Sequence, residues 1–158
     1  MEDILVRGAA LAKDQAKLTI RGVPDRPGIA ARICHALAEN KINVDMIIQN
    51  TSSKNLTDFS FTVAKTDLND ALRVTEQIRK EIGARAVQAD EKIAKLSVVG
   101  VGMRSHVGVA EKMFSALAAE KINIQMISTS EIKISVVIDE ERAEEALRAV
   151  HRAFELHK

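Results

Sequence analysis

The feature that most constrains this chain is an internal duplication. Residues 27–47 read PGIAARICHALAENKINVDMI, and residues 107–127 read VGVAEKMFSALAAEKINIQMI. The two stretches align without a gap at a constant offset, since Gly28 matches Gly108 (108 − 28 = 80). Such repetition is typical of one structural unit that occurs twice, and 158 residues are enough for two small domains.

Both copies carry the same predicted order of strands and helices, judged from alternation in strands and helical spacing in helices. The first copy is predicted as strand 17–23, helix 28–40, strand 44–49, a strand through Phe59, Phe61 and Val63, helix 67–82 and strand 84–90. The second is predicted as strand 95–101, helix 108–120, strand 124–129, a strand through Ile132, Ile134 and Val136, and helix 139–156. Aligning Phe61 with Ile134 lowers the offset to 73 (134 − 61 = 73), which predicts a longer hairpin at 50–58 in the first copy.

The second copy lacks a last strand, because the sequence ends at Lys158 directly after its second helix. A strand-like segment, ILVRGAAL at 4–11, precedes the first copy and has no assigned partner. An uncovered sheet edge is unfavourable, so we expect residues 4–11 to supply the last strand of the second unit. The predicted fold class is α+β, with two ferredoxin-like βαββαβ units and the first inserted into the second. The expected domains are 14–91, and 3–12 plus 92–158.

Composition argues against several functions. The net charge of +1 gives no reason to expect nucleic acid or a membrane surface as partner, and the absence of Tyr and Trp argues against base stacking. Cys34 is the one cysteine, so we expect a packed thiol, no disulfide and a reducing cytoplasm. There is no phosphate-binding loop, and the four histidines have no metal-ligand spacing, so no catalytic residue, metal or cofactor is expected in this chain.

The strongest local feature is the strand-to-helix turn GVPDRPGIA at 22–30. Gly28 permits close backbone approach, and the free N–H groups of a helix N-terminus attract a carboxylate. Asp25 stands beside them and could accept an ammonium group, so the turn is suited to a zwitterionic amino acid. The alternative is that Asp25 simply caps the helix. Further polar residues gather at the second strand of each copy, where they could equally close turns.

These segments resemble the ACT family of ligand-binding modules and, more narrowly, the regulatory region of aspartate kinase. The resemblance rests on GVPDRPGIAARI, KINVDMIIQNTSS, TDFSFTV, GVGMRSHVGVAEKMF and KINIQMISTSEIKISVVI, and it covers nearly the whole chain. It implies the inserted topology. It also implies a whole enzyme that phosphorylates the β-carboxylate of aspartate with ATP and Mg, under feedback inhibition by end products of the lysine, threonine and methionine pathways. The kinase domain is absent here, so a separate regulatory subunit and a fragment of a longer chain both remain open.

The resemblance also implies an effector site for threonine and/or lysine, formed by Asp25, Gly28, Ile29, Ala30, Asn43, Val44, Asp45, Gln49, Val109, Ala110, Asn123, Ile124 and Ser130. The amides near Ile29–Ala30 would hold a carboxylate, Asp25 the ammonium group, and Gln49 the effector side chain. Ser105 and Gln125 stand where Asp25 and Asp45 do, so the second unit is expected to complete a shared site or to serve dimerisation. The implied partners are a second copy, joined through ACT sheet edges, and an aspartate kinase catalytic domain or alpha subunit. The alternative is a stand-alone ACT-type amino-acid sensor or transcriptional regulator.

Overall fold

The computed structural model describes residues 6–51, 54–100 and 106–155. In chain order the elements are β1 (Val6–Ala12), β2 (Gln15–Pro24), α1 (Ile29–Glu39), β3 (Val44–Thr51), β4 (Leu56–Ala64), α2 (Leu68–Ile82), β5 (Ala86–Asp90), β6 (Ile93–Gly100), α3 (His106–Ala119), β7 (Met126–Thr129), β8 (Lys133–Asp139) and α4 (Ala143–Ala153). Short 3₁₀ turns, Lys65–Asp67 and Glu140–Arg142, lead into α2 and α4. The chain divides into two compact units, Asp14–Glu91 on the one hand and Met1–Lys13 with Lys92–Lys158 on the other.

The unit Asp14–Glu91 is an antiparallel four-stranded sheet with the strand order β3-β4-β2-β5. Alternate residues of β2 and β4 point to one face, where Leu18 and Phe61 are fully buried against α1 and α2. Ile33 and Ile78 supply the helical side of this core. Burying the apolar stripe of each helix is what stabilises elements this short, because isolated helices of this length are marginal in water.

The second unit repeats this arrangement with the strand order β1-β6-β8-β7. β1 pairs with β6 antiparallel, from Val6 opposite Gly100 to Ala12 opposite Lys95. It therefore occupies the position that β5 has in the other unit, and the predicted fold class, with an N-terminal strand completing the second sheet, is confirmed. The predicted residues 4 and 5 of that strand lie outside the described residues.

The first helix of each copy ends in the same way. Lys41 and Lys121 adopt left-handed backbone conformations, with φ of 58° and 59°. The amides of Ile42 and Ile122 each donate to a leucine carbonyl five residues back, at 3.0 Å. This is a standard way of satisfying the last helical carbonyls, and it turns the chain back toward the second strand in both units.

The predicted alignment of the hairpin strands is wrong by two residues. Leu18 pairs with Phe61, and the equivalent Leu96 pairs with Val136, so the offset there is 75 (136 − 61 = 75). The β3–β4 hairpin is therefore five residues longer than the β7–β8 hairpin, where seven were expected. Ile132 was assigned to a strand but lies before β8, and its side chain is 55% exposed. Its apolar character extends the alternating pattern one residue before β8, where the Ile132 carbonyl still accepts a hydrogen bond from the Gly100 amide at 2.8 Å.

The sheet face that points away from the helices carries a hydroxyl pair at its centre in both units. The hydroxyls of Thr19 and Ser60 are 2.9 Å apart, and those of Ser97 and Ser135 are 2.7 Å apart. Ser97 and Ser135 are only 4% and 3% exposed. Because a buried hydroxyl without a partner is costly, these pairs fix the register of the neighbouring strands.

Candidate functional site

The turn into α1 forms a helix N-terminus without a side-chain cap. Gly28 is the N-cap residue, with a φ of 91°, and it has no side chain with which to cap the first turn. The alternative that Asp25 caps the helix is therefore wrong. The first full helical bond runs from the Arg32 amide to the Gly28 carbonyl, at 2.9 Å. The amides of the first turn precede that bond and have no acceptor within the helix.

The two amides predicted to hold a carboxylate differ. The Ile29 amide donates to the Arg26 carbonyl at 3.3 Å, and the Ile29 side chain is buried in the core. Ala30 is exposed at the next position. A Cβ placed on Gly28 would meet nothing within 4 Å, so the space over this helix end is open. Ala30 is thus the better placed of the two to receive an anion.

Asp25 and Gln49 lie at the same end of the unit. The Asp25 amide donates to the Asn55 carbonyl at 2.8 Å, which ties the turn to the β3–β4 hairpin, and the Asp25 carboxylate is on the exposed surface. The Gln49 side chain donates to the Thr57 hydroxyl at 3.4 Å, and Thr57 is paired with Val23, next to the turn. Asp25, Gly28, Ala30 and Gln49 therefore surround one end of α1.

Sequence reasoning missed Thr57, Asp58 and Arg21 at this end. Thr57 is 2% exposed and positions Gln49. Asp58 accepts hydrogen bonds from the Gly22 amide at 3.2 Å and from the Arg21 guanidinium at 3.1 Å, which holds the strand end before the turn. In TDFSFTV the alternation places Thr57 on the same face as the core residue Phe59 and Asp58 on the opposite face, but it does not show what either side chain contacts.

The remaining residues predicted in the first copy lie at the other end of α1. Asn43 and Asp45 are exposed and Val44 is half-buried, and all three follow the helix. The Gln15 amide donates to the Asp45 carboxylate at 3.0 Å. An eleven-residue helix is about 16 Å long, so one unit alone does not bring Asp45 to Asp25.

The second copy shows the same separation. Val109 is 1% exposed in the core, so only its backbone can contact a ligand, and Ala110 follows it on α3. Asn123 and Ile124 stand beyond the other end of α3, before a β7 that begins at Met126 and so is shorter than predicted. Ser130 lies in the β7–β8 hairpin, where its amide donates to the Lys133 carbonyl at 2.7 Å.

Two details of the second copy bear on the predicted loss of both acids. Ser105 lies outside the described residues. The Gln125 side chain donates to the Asp139 carboxylate of β8 at 2.7 Å. In the first copy the Gln15 side chain of β2 donates to the Asp45 carboxylate at 3.0 Å, and Gln15 is paired with Ala64, the equivalent of Asp139. The acid is therefore kept at this corner of each sheet, although its position in the sequence differs.

The clearest electrostatic pairs lie on the helices and not at the turn. The Arg32 guanidinium hydrogen-bonds the Glu81 carboxylate with both oxygens engaged, one of them at 2.8 Å, and this lowers the pKa of Glu81. Arg79 lowers the pKa of Glu76 in the same way. These ion pairs are exposed on the helix surfaces, where they stabilise the contacts between their side chains, and they contribute little to a binding site.

Both units also expose apolar side chains along a strand at the edge of the sheet. Ile47 on β3 is 50% exposed, and Ile127, its equivalent on β7, is 43% exposed. Beside Ile47, a cavity of about 340 Å³ opens between β3 and the second half of α1, lined in part by Asn43 and Val44. An edge strand with exposed isoleucine is suited to pairing with another strand.

Nothing in the described part of the chain gathers three or more His, Cys, Asp or Glu side chains as a metal site would. Among the helices of the described ranges, none is long and apolar enough to cross a membrane. The geometry thus offers a small-molecule or protein-binding surface at the helix ends and sheet edges.

Two ferredoxin-like units, the first of which has a glycine turn that opens its first helix, define a tandem ACT regulatory protein. ACT domain models match residues 18–83 and residues 96–154. Each match covers one repeat of the duplication.

The relatives are aspartate kinases. The chain is 59% identical over 156 residues to the aspartate kinase of Pseudomonas fluorescens (strain SBW25), a match that covers 99% of this chain and 38% of that protein. It superposes on the ligand-free regulatory subunit of aspartate kinase from Thermus thermophilus with a TM-score of 0.90 and 48% identity, covering 95% of this chain and 99% of that one. This chain belongs to the aspartate kinase family, as its regulatory ACT region. It spans 38% of the length of the curated relative from P. fluorescens.

Proposed function

We propose that this chain binds threonine and/or lysine and transmits that binding to an aspartate kinase catalytic domain or alpha subunit. The observation that carries the proposal is the separation of the predicted effector residues into two clusters at opposite ends of α1, about 16 Å apart. Neither cluster alone contains both an anion-binding turn and the polar residues that follow the helix. A complete site therefore requires a second ACT unit.

Pairing of sheet edges between two chains would complete the site. In an antiparallel pair, the end of β3 lies beside the start of the partner strand. If that partner is β7 of a second copy, Asn123 and Ile124 of that copy come to the end that holds Gly28 and Gln49. By the same symmetry, the end of the pair that holds Asn43 and Val44 of one copy receives three residues of the other copy, namely Val109, Ala110 and Ser130. The exposed isoleucines of β3 and β7 favour this contact.

The chemistry of each crevice suits a free amino acid. The first-turn amides of α1, led by Ala30, would hold the α-carboxylate, because a helix N-terminus favours negative charge. The exposed Asp25 carboxylate would bind the ammonium group, and Gln49 would reach the effector side chain. Gly28 leaves the space over the turn open, since a Cβ there would meet nothing within 4 Å.

For the whole protein we propose ATP- and Mg-dependent phosphorylation of the β-carboxylate of aspartate, in the cytoplasm, with ACT domains at 14–91 and at 3–12 plus 92–158. Support comes from the relatives. A similar structure, with a TM-score of 0.89 and 53% identity, contains aspartokinase alpha and beta subunits. The E. coli aspartokinase III, with a TM-score of 0.71 and 27% identity, has been solved in complex with lysine and aspartate in its T-state.

Inhibition follows from linkage. An effector shifts a conformational equilibrium only by as much as it binds one state better than the other. An amino acid held between two ACT units favours the paired arrangement and so restrains the attached kinase domains. A coupling of about 1–3 kcal/mol is usual for such control.

The test is calorimetric titration of the folded chain with threonine and with lysine. We expect at least one of them to bind, and Asp25→Asn to weaken that binding at an unchanged melting temperature. Asp70→Asn, which removes an exposed acid on α2, is the matched control. Ala30→Thr should weaken binding, whereas Ala31→Thr, at the neighbouring exposed position, should not. The proposal fails if neither amino acid produces heat, or if Asp25→Asn binds as the wild type does.

A further inference from the structure

The strand pairing of the first unit reaches the turn that is predicted to bind an effector. Pro24, the last residue of β2, pairs with Leu56, the first residue of β4. One residue further, the Asp25 amide donates to the Asn55 carbonyl at 2.8 Å. The turn that carries the Asp25 carboxylate is therefore held to the β3–β4 hairpin by main-chain bonds.

The shorter hairpin of the second unit makes its contact three residues earlier. There the Gly100 amide donates to the Ile132 carbonyl at 2.8 Å. At the offset of 78 that relates β2 to β6, Gly100 corresponds to Gly22 (100 − 78 = 22), which precedes Asp25 by three residues. The unit with the longer hairpin is thus the one in which the hairpin contacts an acidic residue of the turn.

Asn55 makes this contact from a left-handed backbone conformation. Its φ is 59°, and the residue is exposed on the surface. Glycine and asparagine adopt this conformation more readily than other residues, and a β-branched residue is strained in it. The position therefore contributes a backbone conformation, which directs the Asn55 carbonyl toward the Asp25 amide.

We infer that Asn55 is a positioning residue of the effector site, because its left-handed conformation fixes Asp25 where the carboxylate can meet the ammonium group of a free amino acid. The inference rests on the proposed function, which assigns the ammonium group to Asp25. We call the turn closed when the Asp25 amide is bonded to the Asn55 carbonyl. An amino acid that binds only the closed turn is bound more weakly in proportion as fewer molecules are closed. Binding in turn stabilises the closed turn, since the coupling is reciprocal.

The amino acid is thereby sensed by the hairpin as well as by the helix. The Gln49 side chain on β3 donates to the Thr57 hydroxyl on β4, two residues beyond Asn55. Closure at Asn55 therefore sets the relative position of Asp25 and Gln49, the two side chains proposed to bind the ammonium group and the effector side chain.

The experiment varies residue 55 and measures binding of threonine and lysine by calorimetric titration. Asn55→Val should weaken binding of whichever amino acid the wild type binds by about fivefold to thirtyfold, because a β-branched residue opposes the closed turn. Asn55→Gly keeps the conformation accessible and should bind as the wild type does, and Asn55→Ala should fall between the two. Glu155→Val is the matched control, since Glu155 is also left-handed, with a φ of 57°, but follows α4 in the second unit. Thermal melts show that each variant is folded, and Asn55→Ala replaces Asn55→Val in the comparison if the latter is not.

Hydrogen exchange of the Asp25 amide, followed by NMR, provides a second readout that a merely structural role of Asn55 would not move. The amide should exchange slowly in the wild type, faster in Asn55→Val, and slowly again in Asn55→Val at a saturating concentration of the amino acid. If the wild type binds while Asn55→Val keeps its affinity, or if Asn55→Gly weakens binding as much as Asn55→Val does, the inference is wrong and the proposed function stands. If the wild type binds neither amino acid, the proposed function fails and the inference fails with it.

Discussion

Removing one hydroxyl from the Ser97–Ser135 pair should destabilise the second unit far more than removing both. The two hydroxyls are 2.7 Å apart and nearly inaccessible to water. In Ser97→Ala, the Ser135 hydroxyl stays buried without its partner. In the double alanine variant, neither polar group is left to desolvate.

The magnitude follows from the burial of each hydroxyl. An unpaired buried hydroxyl costs about 1–3 kcal/mol, whereas replacing both partners is nearly neutral. Thr19 and Ser60 form the matched pair of the first unit, but Ser60 is half-buried and can bond to water once its partner is lost. We therefore expect Thr19→Val to cost under about 1 kcal/mol. For a domain of this size each kcal/mol lowers the melting temperature by about 4–8 °C.

Differential scanning calorimetry of the wild type, both single variants and the double variant gives the change in stability for each corner of a double-mutant cycle. The coupling energy between Ser97 and Ser135 should be at least about 2 kcal/mol in magnitude, because each single variant costs about 1–3 kcal/mol while the double variant is nearly neutral. If the two single alanine variants are nearly neutral, or if their effects simply add in the double variant, the hydroxyl pair is not the constraint on strand register described above.

Three further outcomes are expected. Deleting residues 1–12 should reduce amide hydrogen-exchange protection in β6 and β8 more than in β2 and β4, because β1 pairs with β6 in the sheet of the second unit; equal loss in both units would contradict the topology. Gly28→Ala should lower the stability of the first unit by about 1–2 kcal/mol in urea unfolding, because its φ of 91° is unfavourable for any residue with a Cβ; a variant as stable as the wild type would contradict that conformation. The hydrogen bonds from Arg32 lower the pKa of Glu81. The stability that ionised Glu81 adds to the folded protein is therefore present above the ordinary pKa of 4.5 and is lost as the pH falls through the lowered pKa of the folded state. The melting temperature of Glu81→Gln should therefore fall below that of the wild type near neutral pH and converge with it in acid, and a constant difference across that range would count against the pair.

Much of the fold could be predicted because it depends on local patterns. Ile33 and Leu37 recur at helical spacing, and both are buried on α1. The hairpin register could not be predicted in the same way, since Ile132, Ile134 and Val136 alternate equally well in two registers. Only pairing of Leu96 with Val136 selects one of them.

The candidate site was predictable as a set of residues but not as an arrangement. The turn at Gly28 is visible in the sequence because glycine and proline restrict the backbone locally. The contact of Asp45 with Gln15 joins residues thirty positions apart and depends on how two strand ends meet. The role of Thr57 beneath Gln49 depends on strand pairing in the same way.

By itself, the sequence determined that one βαββα pattern occurs twice, which faces of its helices are apolar, and where the glycine turn stands. These properties depend on residues a few positions apart, so periodicity and backbone preference are enough to establish them. The tertiary structure decided the register in which β1 pairs with β6, how the two hairpins are aligned, and which side chains meet at each end of α1. These outcomes join distant segments, and the free energy of such contacts comes from burial and strand pairing that no local pattern contains.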